Sequence, residues 1–255
     1  MGTMTRGRFL IGVLTVFALL AAVAVACGGG GDEQVLQSTI PPGSGATSTP
    51  ASAAAATPGG TPSAVDEQLR GMVLQASDMP AGFTLASDSF STNEDVAGQG
   101  EDAAKVLAQL TDWGRIRGHG VVFTSDTSDE AGLLMVDSTV SIYESDSGAS
   151  ASFADAVNTA RATDWQATFG EAATDLNVEE IPPLDVADEM LWLRLSGTAV
   201  VGDPATEQPF TQDVVLMRVG RVRGSVSAVS AAADVAVLVE GMVRAQAAHM
   251  AEGQQ

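Results

Sequence analysis

One cysteine in 255 residues rules out an intramolecular disulfide, so any folded domain here must stand on its apolar core. Lysine is also single, at Lys105, and Asp102 three residues earlier removes a Ser-x-x-Lys nucleophile. Histidine occurs only at His119 and His249, far apart in the chain. That leaves no paired Cys/His spacing for zinc and no His-Glu-x-x-His helix, and no Gly-x-Ser-x-Gly elbow stands in the domain to complete a triad with either histidine. Aromatics are 5% of the chain, and Trp113, Trp165 and Trp192 fall in three separate segments, whereas a carbohydrate platform needs rings aligned on one face. Positive charge is scarce, with 12 Lys+Arg against 32 Asp+Glu and a formal net charge of −20. This balance excludes nucleic acid as the expected partner and argues against lying flat on an anionic leaflet.

What the chain does have begins at its N-terminus. Arg6 and Arg8 precede an apolar run over residues 9–26, and Ala24-Val25-Ala26 sets small residues before Cys27, the layout of an export signal and its cut site. The stretch resembles the lipobox of bacterial lipoproteins, in which the cysteine takes a diacylglycerol on sulfur and becomes the mature N-terminus. The resemblance implies a membrane anchor through Cys27, with that lipid as the one added group and no other cofactor. Two further readings stay open. Ala24 stands where many lipoboxes carry Leu, and Ala24 with Ala26 also suits ordinary signal peptidase; uncleaved, the apolar run is a short membrane span. All three put the remainder outside the cytoplasm. Without Arg6 and Arg8, 10 of the 12 basic residues remain against all 32 acids, a net charge of −22.

From residue 41 to 64 every residue is Pro, Gly, Ser, Ala or Thr, a composition that builds no core. As a coil, residues 28–64 span about 30–37 Å. The organisation read here is a signal over 1–26, the lipidated cysteine and a flexible linker over 27–64, and one globular extracytoplasmic domain over 65–255, read as a monomer.

Within that domain, Ser63 and Asp66 fit a capping box ahead of Val65, Leu69, Met72, Val73 and Ala76, which share a helix face. Pro80 and Gly82 then turn the chain into an alternating strand over 83–90. A second helix is predicted over 101–113 with Ala103, Val106, Leu107 and Leu110 inward and Gly114 as its stop. Strands over 115–124 and 133–144 read as a hairpin, and Ala149, Phe153, Ala156, Val157 and Ala160 stripe a helix that packs on the sheet. Strands follow over 176–181, 189–201, 210–218 and 221–230, the last two joined at Val219-Gly220. Asp234 can cap a final helix bearing Val235, Leu238, Val239, Met242 and Gln246 on one face. The expected class is α+β: an antiparallel sheet of hairpins with about four helices packed on it.

Met79-Pro80-Ala81-Gly82-Phe83 resembles a leucine-proline-x-glycine-aromatic turn of exported actinobacterial-type lipoproteins. From Ser63 onward the element order is similar to extracellular sensor-like domains of mycobacterial-type lipoproteins and receptor kinases, and to Mog1/PsbP-like sandwiches. The resemblance implies sensing of a ligand or partner outside the cell and brings no catalytic residue with it.

Two groups of residues remain as candidates. Asp126, Asp129 and Glu130 crowd a turn, but without the glycine and twelve-residue layout of an EF-hand they read as solvated acids and not as a metal site. Arg115, Arg117, Arg218, Arg221 and Arg223 fall on segments read as strands, and alternate spacing predicts common faces for Arg115 with Arg117 and for Arg221 with Arg223. The first expectation for these arginines is cross-strand ion pairing with Asp137, Glu144 or Asp213 and protection of the sheet edge; because planar guanidinium groups suit carboxylate or phosphate, the five are also a candidate strip for an anionic ligand. The expected function is a non-enzymatic ligand- or partner-binding module of the cell envelope. A carboxylate-dependent envelope hydrolase and a structural envelope partner are the alternatives.

Overall fold

The computed structural model describes residues 63–125, 132–201, 206–231 and 235–255. The export signal, Cys27, the linker up to residue 62, the acids of the turn at 126–130 and the expected cap Asp234 lie outside the described residues. The class is α+β as the pattern predicts: one seven-stranded antiparallel sheet with helices on both faces. The strands are β1 (Phe83–Ser91), β2 (Arg115–Ser125), β3 (Leu133–Tyr143), β4 (Ala173–Ile181), β5 (Glu189–Val201), β6 (Thr206–Val219) and β7 (Val222–Ser230). Their spatial order is β1-β2-β3-β7-β6-β5-β4, two meanders joined edge to edge where β3 pairs with β7.

Six helices are described where about four were expected: α1 (Ala64–Met72), α2 (Asn93–Ala97), α3 (Ala103–Asp112), α4 (Asp146–Ala162), α5 (Trp165–Phe169) and α6 (Ala236–Glu252). The additional ones, α2 and α5, have five residues each, too short to show a 3.6-residue period. Only their caps announce them. Thr92 accepts from the Asp95 N–H at 3.2 Å, and Asp164 accepts from the Ala167 N–H at 3.0 Å. At α1 the expected capping box is formed, with Ser63 Oγ accepting from the Asp66 N–H at 3.1 Å and Asp66 accepting from the Ser63 N–H at 3.4 Å.

Strand alternation divides the core between the two faces. On one face α1 and α6 cover Val121, Phe123, Val136, Val140, Ile142, Val215, Met217, Val222 and Val226. On the other, α4 and α5 cover Leu191, Leu193, Leu195, Phe210, Leu216 and Val229. A small third cluster, Val96, Ala97, Val106 and Leu110, holds α2 to α3 beside α4. One set of polar groups inside the first face is fully paired. Gln246 on α6, fully buried, accepts from Ser138 Oγ at 2.8 Å and donates to Thr139 O at 2.9 Å, and Ser138 Oγ in turn accepts from the Leu74 N–H at 3.0 Å.

Candidate functional site

The five strand arginines do not form one strip. A bulge between Arg115 and Arg117 in the β2–β3 register shifts the alternation by one residue and sends the two side chains to opposite faces. Arg117 pairs with Asp66 of α1 and lies 5.3 Å from the Phe90 ring centroid on the α1/α6 face. Arg221 sits in the β6–β7 turn instead of the strand, beside Gly220 with φ +54°. What the fold does bring together, on the α4 face at one end of the sheet, is Arg115, Arg223 and Arg218: Ser141 of β3 stands across from Arg223, and Arg223 across from Arg218.

These three differ in how their charge is met. Arg218 is neutralised by Glu189 and by Asp188 at 3.1 Å, and also donates to Gly220 O at 2.8 Å. Arg115 is 6% exposed and has no carboxylate partner among the described residues. It donates from Nε to Ser141 Oγ at 3.1 Å, from Nη1 to Asn93 Oδ1 at 2.9 Å and from Nη2 to Ser91 Oγ at 2.8 Å. Burial pushes its guanidinium down to about 10; Tyr143 and Asp95 act the other way, while Arg223 adds to the drop. It therefore stays charged at neutral pH. Gly118 makes the seat possible, since a Cβ there would lie 2.2 Å from Arg115 Nη2 and 2.8 Å from Ser91 Oγ.

Arg223 is half-buried and also lacks a carboxylate. Its Nη1 donates to Ser152 O at 3.3 Å and Ser152 Oγ at 2.8 Å on α4, and Ser152 Oγ is held in turn by Tyr143 Oη at 2.7 Å. Its Nε and Nη2 have no acceptor among the described residues and are not sealed from solvent. The result is a fixed guanidinium with a free edge, backed by a second, buried guanidinium. That arrangement can take a carboxylate or phosphate oxygen pair by charge-assisted hydrogen bonds.

The acids expected to neutralise this strip are engaged elsewhere or not at all. Asp213 serves Arg194 and Trp192. Asp137 has no hydrogen-bond partner or ion pair among the described residues, and burial alone pushes its carboxyl up from 3.8 to about 6. A folded-state value above the ordinary one means that the folded protein holds the proton more tightly. Stability is then greatest below about pH 4, falls as pH rises through 4 to 6, and carries the full penalty above that. Asp137→Asn is accordingly expected to stabilise the protein by about 1–2 kcal/mol at pH 7, with the gain vanishing near pH 4, a figure lowered for the partial exposure of the carboxyl. Urea melts of the two proteins at pH 4 and pH 7 check this; an equal difference at both pH values contradicts it.

Among the described residues no group of three His, Cys, Asp or Glu side chains could hold a metal ion. His119 is buried against Phe90, ring centroids 4.3 Å apart, with Asp88 2.8 Å from its Nε2, and His249 pairs with Asp78 at 3.0 Å. Two clefts stand out among the described residues. One of about 440 Å³ lies between α4, α5 and the β4–β5 edge; another, of about 470 Å³, lies between α3 and α4 and is lined by Lys105, Ala108, Gln109, Asp112, Trp113 and Asp155. Among the described residues no helix is long and apolar enough to cross a membrane.

No known family profile matches the chain, and no curated protein matches it. Among solved structures it is similar to the extracellular domain of PknH from Mycobacterium tuberculosis, at a TM-score of 0.46 and 12% identity, over 77% of this chain and 99% of that one.

Proposed function

We propose that the chain is an exported, lipid-anchored protein whose domain is a non-enzymatic binding module, taking an anionic group of its ligand on the free edge of Arg223 with Arg115 behind it. The observation that carries this reading is the carboxylate-free pair. Arg115 and Arg223 stand as neighbours on one face with no carboxylate partner among the described residues, and keeping the buried Arg115 charge unneutralised costs folding free energy. An incoming carboxylate or phosphate offsets that cost.

Calorimetric titration of the full chain with acetate, succinate and phosphate tests the reading. Arg223→Gln removes one charged donor fork, worth about 1.5–3 kcal/mol, and is expected to weaken binding roughly 10- to 100-fold. Equal affinity in the two proteins, or no binding of any of the three anions, sinks it. The support for the address is Arg6, Arg8, the apolar run and Cys27 as the sole cysteine. Two acyl chains hold a protein at a membrane durably, whereas an unlipidated cysteine does not. Cys27→Ser is expected to move the protein from the detergent phase to the aqueous phase on cloud-point partition, and unchanged partition removes the lipid from the proposal.

A further inference from the structure

The α4 face of β3 and β7 carries more than the arginine end. Continuing along the register, Ser141 faces Arg223, Thr139 faces Ser225, and Asp137 faces Ser227. At about 3.3–3.4 Å per residue, Asp137 and Ser227 lie roughly 13 Å from the Ser141–Arg223 pair. Charge therefore changes sign along one track: guanidinium at Arg115 and Arg223, hydroxyls at Thr139 and Ser225, which share a hydrogen bond of 2.6 Å, and carboxylate at Asp137.

The track has a low floor on its open side. On β2 the same face carries Gly118 opposite Ser141, with the Arg115 guanidinium lying over it, and Gly120 opposite Thr139, where β2 itself raises no side chain. Thr139, Asp137 and Gly120 are half-buried, neither sealed by a helix nor laid bare. Beside α5, this face carries α3 over β2 and α4 over β3, β6 and β7, and the cleft of about 470 Å³ between α3 and α4 is lined by residues of those helices and Trp113, not by the strands.

Acceptors without partners collect on the acidic side. Asp137 has none of its lone pairs engaged among the described residues. Gln212, 3% exposed, donates its amide to Ser227 Oγ at 3.0 Å and leaves Oε1 buried with no donor. A buried acceptor without a donor is a cost that a donor-rich group removes, and an ammonium brings three N–H donors with a matching charge.

We infer that the track binds a short peptide-like ligand with free ends, its carboxylate on Arg223 and its ammonium against Asp137 and Gln212. The inference rests on the anion reading of Arg223 and names the ligand class. Three extended residues place the two charges about 10 Å apart, the spacing that lets each approach its partner along a 13 Å track.

The experiment titrates the full chain with trialanine, N-acetyl-trialanine and trialanine amide, alongside acetate. Trialanine is expected to bind at least tenfold more tightly than either blocked form. Asp137→Asn should erase the difference between free and acetylated peptide, and Arg223→Gln the difference between free and amidated peptide. Thermal midpoints report that both variants are folded. If free and acetylated trialanine bind alike and both depend on Arg223, the anion reading stands and the dipolar track falls. Should acetate bind through Arg223 while no peptide binds, the same conclusion holds. If neither acetate nor peptide responds to Arg223→Gln, both fall.

Discussion

Asp213→Ala is expected to cost the fold about 3–5 kcal/mol, the largest loss from any single polar side chain here. Asp213 is fully buried in β6, directly across from Arg194 of β5. Its Oδ1 accepts from Trp192 Nε1 at 2.6 Å and from Arg194 Nε at 2.9 Å, and Oδ2 accepts from Arg194 Nη2 at 3.2 Å. Removing the carboxylate leaves a guanidinium and an indole N–H beside the α1/α6 core with no acceptor, and a void where the side chain was. A buried ion pair is weak evidence of net stabilisation, because both charges are dehydrated; losing one partner is what costs. The double replacement of Arg194 by Met and Asp213 by Leu is therefore expected to recover most of the loss. Denaturant melts followed by tryptophan fluorescence measure both. A single-variant loss under about 1 kcal/mol, or no recovery in the double variant, contradicts the account.

How much of this was legible in the sequence depended on whether the signal was local. The capping box at Ser63, the hairpin turn at Gly220 and the alternating strands are all set by residues a few positions apart, and they stand where the pattern puts them. The start of β6 was not legible, because Pro209 reads as a loop residue. It sits inside the strand because β6 there pairs only with β5, and its pairing with β7 begins at Thr211, so no ladder bond is lost on the open side.

The adjacency of β3 and β7 joins segments some eighty residues apart, and no local signal encodes it. The candidate site depends on that join. Arginine spacing alone named Arg115 and Arg223 but grouped them with Arg117, because a one-residue bulge is invisible to a count by twos. Asp137 was expected as a counter-ion and stands instead as an unpartnered acid at the other end of the track. Gly118 and Gly120 were the clue. Two glycines two apart in a strand mark one face on which something approaches the backbone, at Gly118 the Arg115 guanidinium and at Gly120 the Thr139 methyl.

Gly148→Ala is expected to destabilise the protein by about 3 kcal/mol, against the direction that helix propensity alone predicts. Gly148 lies in the first turn of α4, where Ser145 Oγ accepts its N–H at 3.2 Å. A Cβ there would stand 1.9 Å from Trp113 O and 3.0 Å from Trp113 C, backbone atoms at the end of α3. Neither side can yield cheaply. Gly114, next to Trp113, is held by the Glu144 N–H on its carbonyl at 2.9 Å, and Arg115 is already paired with Tyr143 in the sheet. The helix must move outward, and with it Ser152, which positions both Arg223 and Tyr143. Weaker anion binding should therefore accompany the lost stability. Gly241→Ala, in the interior of α6 with no atom within 4 Å of the added carbon, is the control, expected to gain about 0.5–1 kcal/mol. Opposite signs for the two variants in the same denaturant series support close backbone approach as the reason for glycine at 148; a gain in both would show that α4 can shift freely and that Arg223 is not held by it.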